Sequence, residues 1–108
     1  MKLMELKKSG IWAAGFFEDE TELTHNFSRL SYFSSKEKAA KYLIDSMIGN
    51  IDDEDFEDAA QFSVADAKQA VKKNDGKLLV SMADHVDNFM NEESPDYLII
   101  FEPIHITA

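Results

Sequence analysis

Six of the seven residues from Asp52 to Asp58 carry carboxylates, and no Lys or Arg occurs anywhere between Lys41 and Lys68. No packed interior accepts such a window. Like charges this dense repel one another and weaken a compact state, so they must face solvent, meet a cationic partner, or surround a metal ion. The same basic-free interval also holds Asp45 and Asp66. The core has to be built from the segments on either side.

The first third reads as sheet. Leu3–Leu6 and Ile11–Phe17 are apolar runs separated by Lys7-Lys8-Ser9-Gly10. The glycine there can supply the positive φ of a tight connection, so the pattern predicts a β-hairpin. Glu18-Asp19-Glu20-Thr21-Glu22 forms a polar connection into a third strand over Leu23–Phe33. Gly15 weakens the second strand and marks a candidate bulge. The aromatics Trp12, Phe16, Phe17, Phe27, Tyr32 and Phe33 are expected to form the core.

At Ser34-Ser35-Lys36-Glu37 the period changes. Serine followed three residues on by glutamate is a capping box, and Ala40, Leu43, Ile44, Met47 and Ile48 recur at helical spacing. Gly49-Asn50 supplies residue types that accept a left-handed conformation past a helix end. Ser63 starts a second helix, with Ala67, Ala70 and Val71 on its apolar side and Lys72 and Lys73 toward the negative end of its dipole. After Asn74-Asp75-Gly76, the run Lys77–Ser81 is compatible with a strand. The spacing of Leu78, Leu79, Met82, Ala83, Val86, Phe89 and Met90 instead favours one helix from about Leu78 to Glu92. Ser94-Pro95 ends it, and Asp96–Ile106 returns to strand composition, although Pro103 sits badly in the middle of a paired ladder.

Strands, then helices, then a last strand make an α+β chain: a mainly antiparallel sheet, an N-terminal meander plus a C-terminal strand, covered on one face by two or three helices. The nearly continuous apolar character of the last strand predicts a place inside the sheet beside an N-terminal strand. At 108 residues, with no linker, repeat or low-complexity tract beyond the acidic run, 1–108 is expected to be a single domain.

Chemistry is more sharply limited. With no cysteine, thiol catalysis, Cys-ligated zinc and disulfides are excluded, and a reducing compartment fits. Met1–Lys8 meets charges before any apolar run reaches signal-peptide length, and nothing approaches eighteen apolar residues, so the cytoplasm is the expected address. Glycines at 10, 15, 49 and 76 cannot build a phosphate cradle, and no nucleophile elbow or dinucleotide fingerprint is present. His25, His85 and His105 show no metal-ligand spacing. The acidic run lacks both the turn glycine and the closing glutamate of an EF-hand loop. Neither catalysis nor a cofactor or metal is expected.

What remains is binding. A formal charge of -10 repels nucleic acid and anionic lipid and attracts basic proteins. The expected function is a small acidic inhibitor or antidote, of the phage anti-defence or toxin-immunity type. It would mask a basic surface of a target protein, including one that binds nucleic acid. The candidate contact residues are Asp52, Asp53, Glu54, Asp55, Phe56, Glu57 and Asp58, with Glu18, Asp19, Glu20 and Glu22 as a second acidic cluster. Phe56 reads either as an apolar anchor within that surface or, given Ala59, Ala60 and Phe62 nearby, as the core side of a helix. The alternative is a non-catalytic accessory subunit that forms a homodimer through its sheet, the acids serving solubility.

Overall fold

A computed structural model describes residues 6–17, 30–92 and 98–107. Three strands, β1 (Leu6–Phe17), β2 (Ser31–Phe33) and β3 (Leu98–Thr107), form an antiparallel sheet in the order β2-β1-β3. Between β2 and β3 run four helices: α1 (Lys36–Ile48), α2 (Asp53–Ala60), α3 (Val64–Lys73) and α4 (Gly76–Glu92). The α+β class holds, and the acidic run itself supplies one of the helices.

The predicted hairpin does not form. Leu6 and Phe17 belong to one twelve-residue strand, and Lys7–Gly10 lies within it. Its ladder with β3 shifts register between Lys8, opposite His105, and Trp12, opposite Pro103. Ser9, Gly10 and Ile11 therefore face the single residue Ile104. Gly10 does adopt the positive φ, +82°, but uses it for this bulge and not for a turn. Local sequence suggested a turn because bulges and hairpins call on glycine for the same backbone conformation.

Three further expectations are corrected here. Among the described residues β3 lies beside the N-terminal strand β1, as expected, but at the edge of the sheet and not inside it, β1 being the centre. Pro103 fits because it lies on an edge strand where the ladder is already interrupted, so its missing N–H costs little. Gly15 is not a bulge; it pairs in register with Ile100. Of the predicted third strand, Ser31–Phe33 is strand, while residues 23–29 lie outside the described residues, as do Glu18, Asp19, Glu20 and Glu22.

The helices cover the face of the sheet that carries Ala14, Phe16, Ile99 and Phe101, and the core closes over it with Leu43, Ile44, Met47, Phe56, Leu79, Met82 and Val86. α1 packs on β1 and against α4, which in turn covers β3 and α2. The expected aromatic core is present in part. Phe16 and Phe17 are buried, Trp12 and Phe33 pack against the core, Phe27 lies outside the described residues, and Tyr32 is 59% exposed. Tyr32 pairs with Ala13 on the side of the sheet opposite the helices, where Ala13 and Phe17 are nonetheless buried.

Helix boundaries follow their caps. Ser35, not Ser34, begins α1, its hydroxyl accepting from Lys38 N at 3.2 Å. Gly49 ends it in a right-handed conformation (φ −91°) and not the left-handed one expected. Asn50 N donates to Met47 O there at 3.0 Å, tying off the last turn. Ser63 caps α3 by accepting from Asp66 N, and Asn74 ends it at φ 56°. α4 begins two residues before the predicted start because Asp75 caps it: its Oδ1 accepts from Leu78 N at 3.3 Å and its carbonyl from Leu79 N at 2.9 Å.

Lys36 ties three elements together. Its ammonium lies 5.0 Å from the centroid of the Trp12 ring and 5.9 Å from that of Phe101, and 3.2 Å from Asp84 Oδ1 on α4. The ion pair is half in solvent and contributes little; the aromatic contacts and the packed lysine stem carry more. Lys36→Ala is therefore expected to cost about 1 kcal/mol in urea unfolding, and Asp84→Asn at most about 0.5 kcal/mol. Equal losses in the two variants would assign the effect to the ion pair instead.

Candidate protein-binding face

The acidic run folds as α2 because its composition meets two local requirements. Asp53, Glu54 and Asp55 occupy the first turn, where the helix dipole favours negative charge. Phe56, Ala59 and Ala60 recur at i, i+3 and i+4, and all three are buried, Phe56 at 0% exposure. Gln61 then takes φ 65°, its N–H bonding Glu57 O and its side-chain amide donating to Asp58 O at 2.7 Å. That reversal lets α3 start with only three residues between it and α2.

The outward side is all carboxylate. Asp52, Asp53, Glu54, Asp55, Glu57 and Asp58 are exposed and span about 10 Å of helix axis. None of them forms an ion pair among the described residues; the pair seen there is Lys36 with Asp84. Asp52 is the N-cap residue, yet its side chain makes no capping hydrogen bond. Glu57 alone is engaged: Oε2 accepts from Val64 N at 3.4 Å, which places its charge at the positive end of α3. Asp58 sits in the last turn, where the dipole opposes it. Asp53 with Glu57 and Glu54 with Asp58 are like-charge pairs four residues apart, each mildly destabilising.

Because the six charges lie within roughly one screening length of each other at 0.1 M salt, an approaching cation meets them as a unit. The field is local. Beyond Asp66, the exposed residues of α3 and the start of α4 include Lys68, Lys72, Lys73 and Lys77.

The burial of Phe56 settles its two readings: the ring faces the core and is not offered to a partner. Its role is to hold the carboxylates on a fixed helix. The link from Glu57 to Val64 was not legible, since it spans seven residues and matches no capping-box spacing. His85 is exposed, with its ring centroid 6.3 Å from that of Phe62, and the adjacent Asp84 turns to Lys36. Among the described residues no three carboxylate or imidazole side chains converge on a metal-sized site, and no helix is long and apolar enough to cross a membrane. In comparisons with known proteins, no family model, no curated protein and no solved structure matches this chain.

Proposed function

We propose that the chain is a small acidic protein-binding inhibitor or antidote, of the anti-defence or immunity type, that masks a basic surface of a target protein through α2. The observation that supports this reading is the set of exposed, unpaired carboxylates on a helix whose other side is anchored by a fully buried phenylalanine. Carboxylates spaced by about a helical turn can occupy positions that nucleic-acid phosphates take in a basic groove. Their rigid mounting means that little ordering cost accompanies binding.

A variant with Asp52, Asp53, Asp55 and Asp58 changed to Asn, and Glu54 and Glu57 changed to Gln, tests it. Because these side chains are exposed and their mutual repulsion offsets what they gain from helix ends, the variant is expected to keep its fold and most of its stability. In a nuclease-treated pull-down at about 0.1 M salt the wild type should retain a basic protein that the variant does not, with release at about 1 M salt, where the screening length falls to about 3 Å. Equal retention by both proteins would reject the acidic face as the contact surface.

A second reading, a subunit that self-associates through its sheet, draws support from Tyr32 and Ile11. They are 59% and 41% exposed, Tyr32 on the side of the sheet opposite the helices. Sedimentation equilibrium separates the two. A dimer indifferent to the six substitutions favours self-association, and a monomer at all concentrations removes it.

A further inference from the structure

A groove of about 440 Å³ opens between β2, α1 and the C-terminal cap of α3, lined by Phe33, Lys38, Lys41, Tyr42, Asp45 and Asn74. It lies on elements other than the acidic helix and differs from it in chemistry. The groove is mostly apolar, and its aromatic part is a ring pair: the Phe33 and Tyr42 centroids are 5.1 Å apart with planes tilted by 42°.

Its cationic part is unusual in a chain with 21 acids and 11 bases. Lys38 and Lys41 stand one helical turn apart, and neither forms an ion pair among the described residues. Lys38 Nζ donates to Ser34 Oγ at 3.2 Å, a neutral partner. Lys41 is partly buried, and Asp45, four residues on and the one carboxylate among those lining residues, is not paired with it. Two ammonium groups without a partner carboxylate among the described residues give the apolar groove a local positive field. An anion entering the groove would supply the missing counter-charge.

We infer that this groove binds a small aromatic anion: a flat ring carrying a phosphate or carboxylate. The ring would lie against Phe33 and Tyr42 and the anionic group between the two ammonium groups. Asn74 offers an amide donor and acceptor, and Asp45 an acceptor for ring N–H or hydroxyl groups. The volume falls in the range of small-molecule sites, roughly 300–1,000 Å³, and suits a ligand about the size of a nucleoside monophosphate. A polymeric nucleic acid would meet the repulsion of the whole chain, whereas a compact anion meets chiefly the local field of the groove, where two lysines outweigh Asp45.

Calorimetric titration of the full chain with AMP and phenyl phosphate, alongside adenosine and inorganic phosphate, reads out each half of the recognition. Saturable binding is expected for at least one of the two aromatic phosphates, with phosphate alone weaker by about tenfold or more; if AMP binds, adenosine should be similarly weaker. Lys41→Ala should weaken the bound aromatic phosphate about tenfold, while Tyr42→Leu should weaken it at unchanged phosphate affinity. Circular dichroism on each variant confirms that the fold is kept. The proposal is overturned by the absence of saturation with both aromatic phosphates up to about 10 mM, by phosphate binding as tightly as they do, or by an affinity indifferent to Lys41→Ala with the fold kept.

Discussion

Phe56→Ala is expected to destabilise the chain by about 3–5 kcal/mol, the range for emptying a phenylalanine-sized site in a packed core. The ring is fully buried, and it is the largest of the three apolar side chains that dock α2, the others being Ala59 and Ala60. Eight residues cannot sustain a helix alone, since nucleation is unfavourable and short helices depend on tertiary packing. In this helix, like-charge pairs on the outer side add to the cost. A domain of this size has a total stability on the order of 5–15 kcal/mol, so the loss is a large share of the whole. Urea unfolding should show the midpoint falling steeply, and Phe56→Leu, which keeps most of the volume, should recover more than half of the loss. A change below about 1 kcal/mol in Phe56→Ala would mean that the ring does not hold α2 in place. The contrast with the six-site neutralised variant is the check: one apolar substitution in the window should cost far more stability than six polar ones.

Gly15→Val is the second large effect. A Cβ at position 15 would sit 2.7 Å from Phe17 Cε2, 3.1 Å from Phe17 Cζ and 3.4 Å from Leu30 Cδ1. Phe17 is fully buried, so its ring cannot swing out into solvent to make room. Valine has the stronger intrinsic preference for strand, and the unfolded chain would lose some freedom, which together favour the substitution by less than about 1 kcal/mol. Overpacking against a closed ring opposes it by about 3 kcal/mol, so destabilisation should win by at least 2 kcal/mol. If the ring is the obstacle, trimming it should help: in the Gly15→Val background, Phe17→Leu should cost far less than it does alone. That non-additivity is the signature of a shared space. An additive double variant would instead place the strain in the backbone or at Leu30.

How much of this could be seen in advance differs from element to element. α1 and α3 were legible because helix starts and apolar spacing are local properties. Ser63 acts as expected, and Ser35 takes the role assigned to its neighbour Ser34, two adjacent serines offering the same hydroxyl. The start of α4 was placed two residues late because Asn74-Asp75-Gly76 reads as a turn; it is one, but Asp75 also caps the helix that leaves it. The acidic face was visible as charge, though whether it was loop or helix was not. That depended on whether Phe56, Ala59 and Ala60 would find a surface to bury against, and α4 provides it.

Sheet pairing was the least legible. The apolar run Ile11–Phe17 plainly belonged in a sheet, but its long partner is β3, more than eighty residues away along the chain. A nearby apolar run made a hairpin the simpler reading. The groove was equally hidden. Lys38, Lys41, Tyr42 and Asp45 share one side of α1 by spacing alone, yet only the fold brings Phe33 and Asn74 to meet them.

The amino-acid sequence by itself determined where this protein is charged, where its helices begin, and which segments must be apolar. Those properties depend on residues within a few positions of one another, through dipoles, caps and periodicity. Only the tertiary structure decided that β1 is one bulged strand at the centre of the sheet, that Phe56 turns inward while six carboxylates turn out, and that two lysines line an aromatic groove. Each of these rests on contacts between distant segments, set by which apolar surfaces bury each other once the whole chain has closed, and no local pattern encodes that choice.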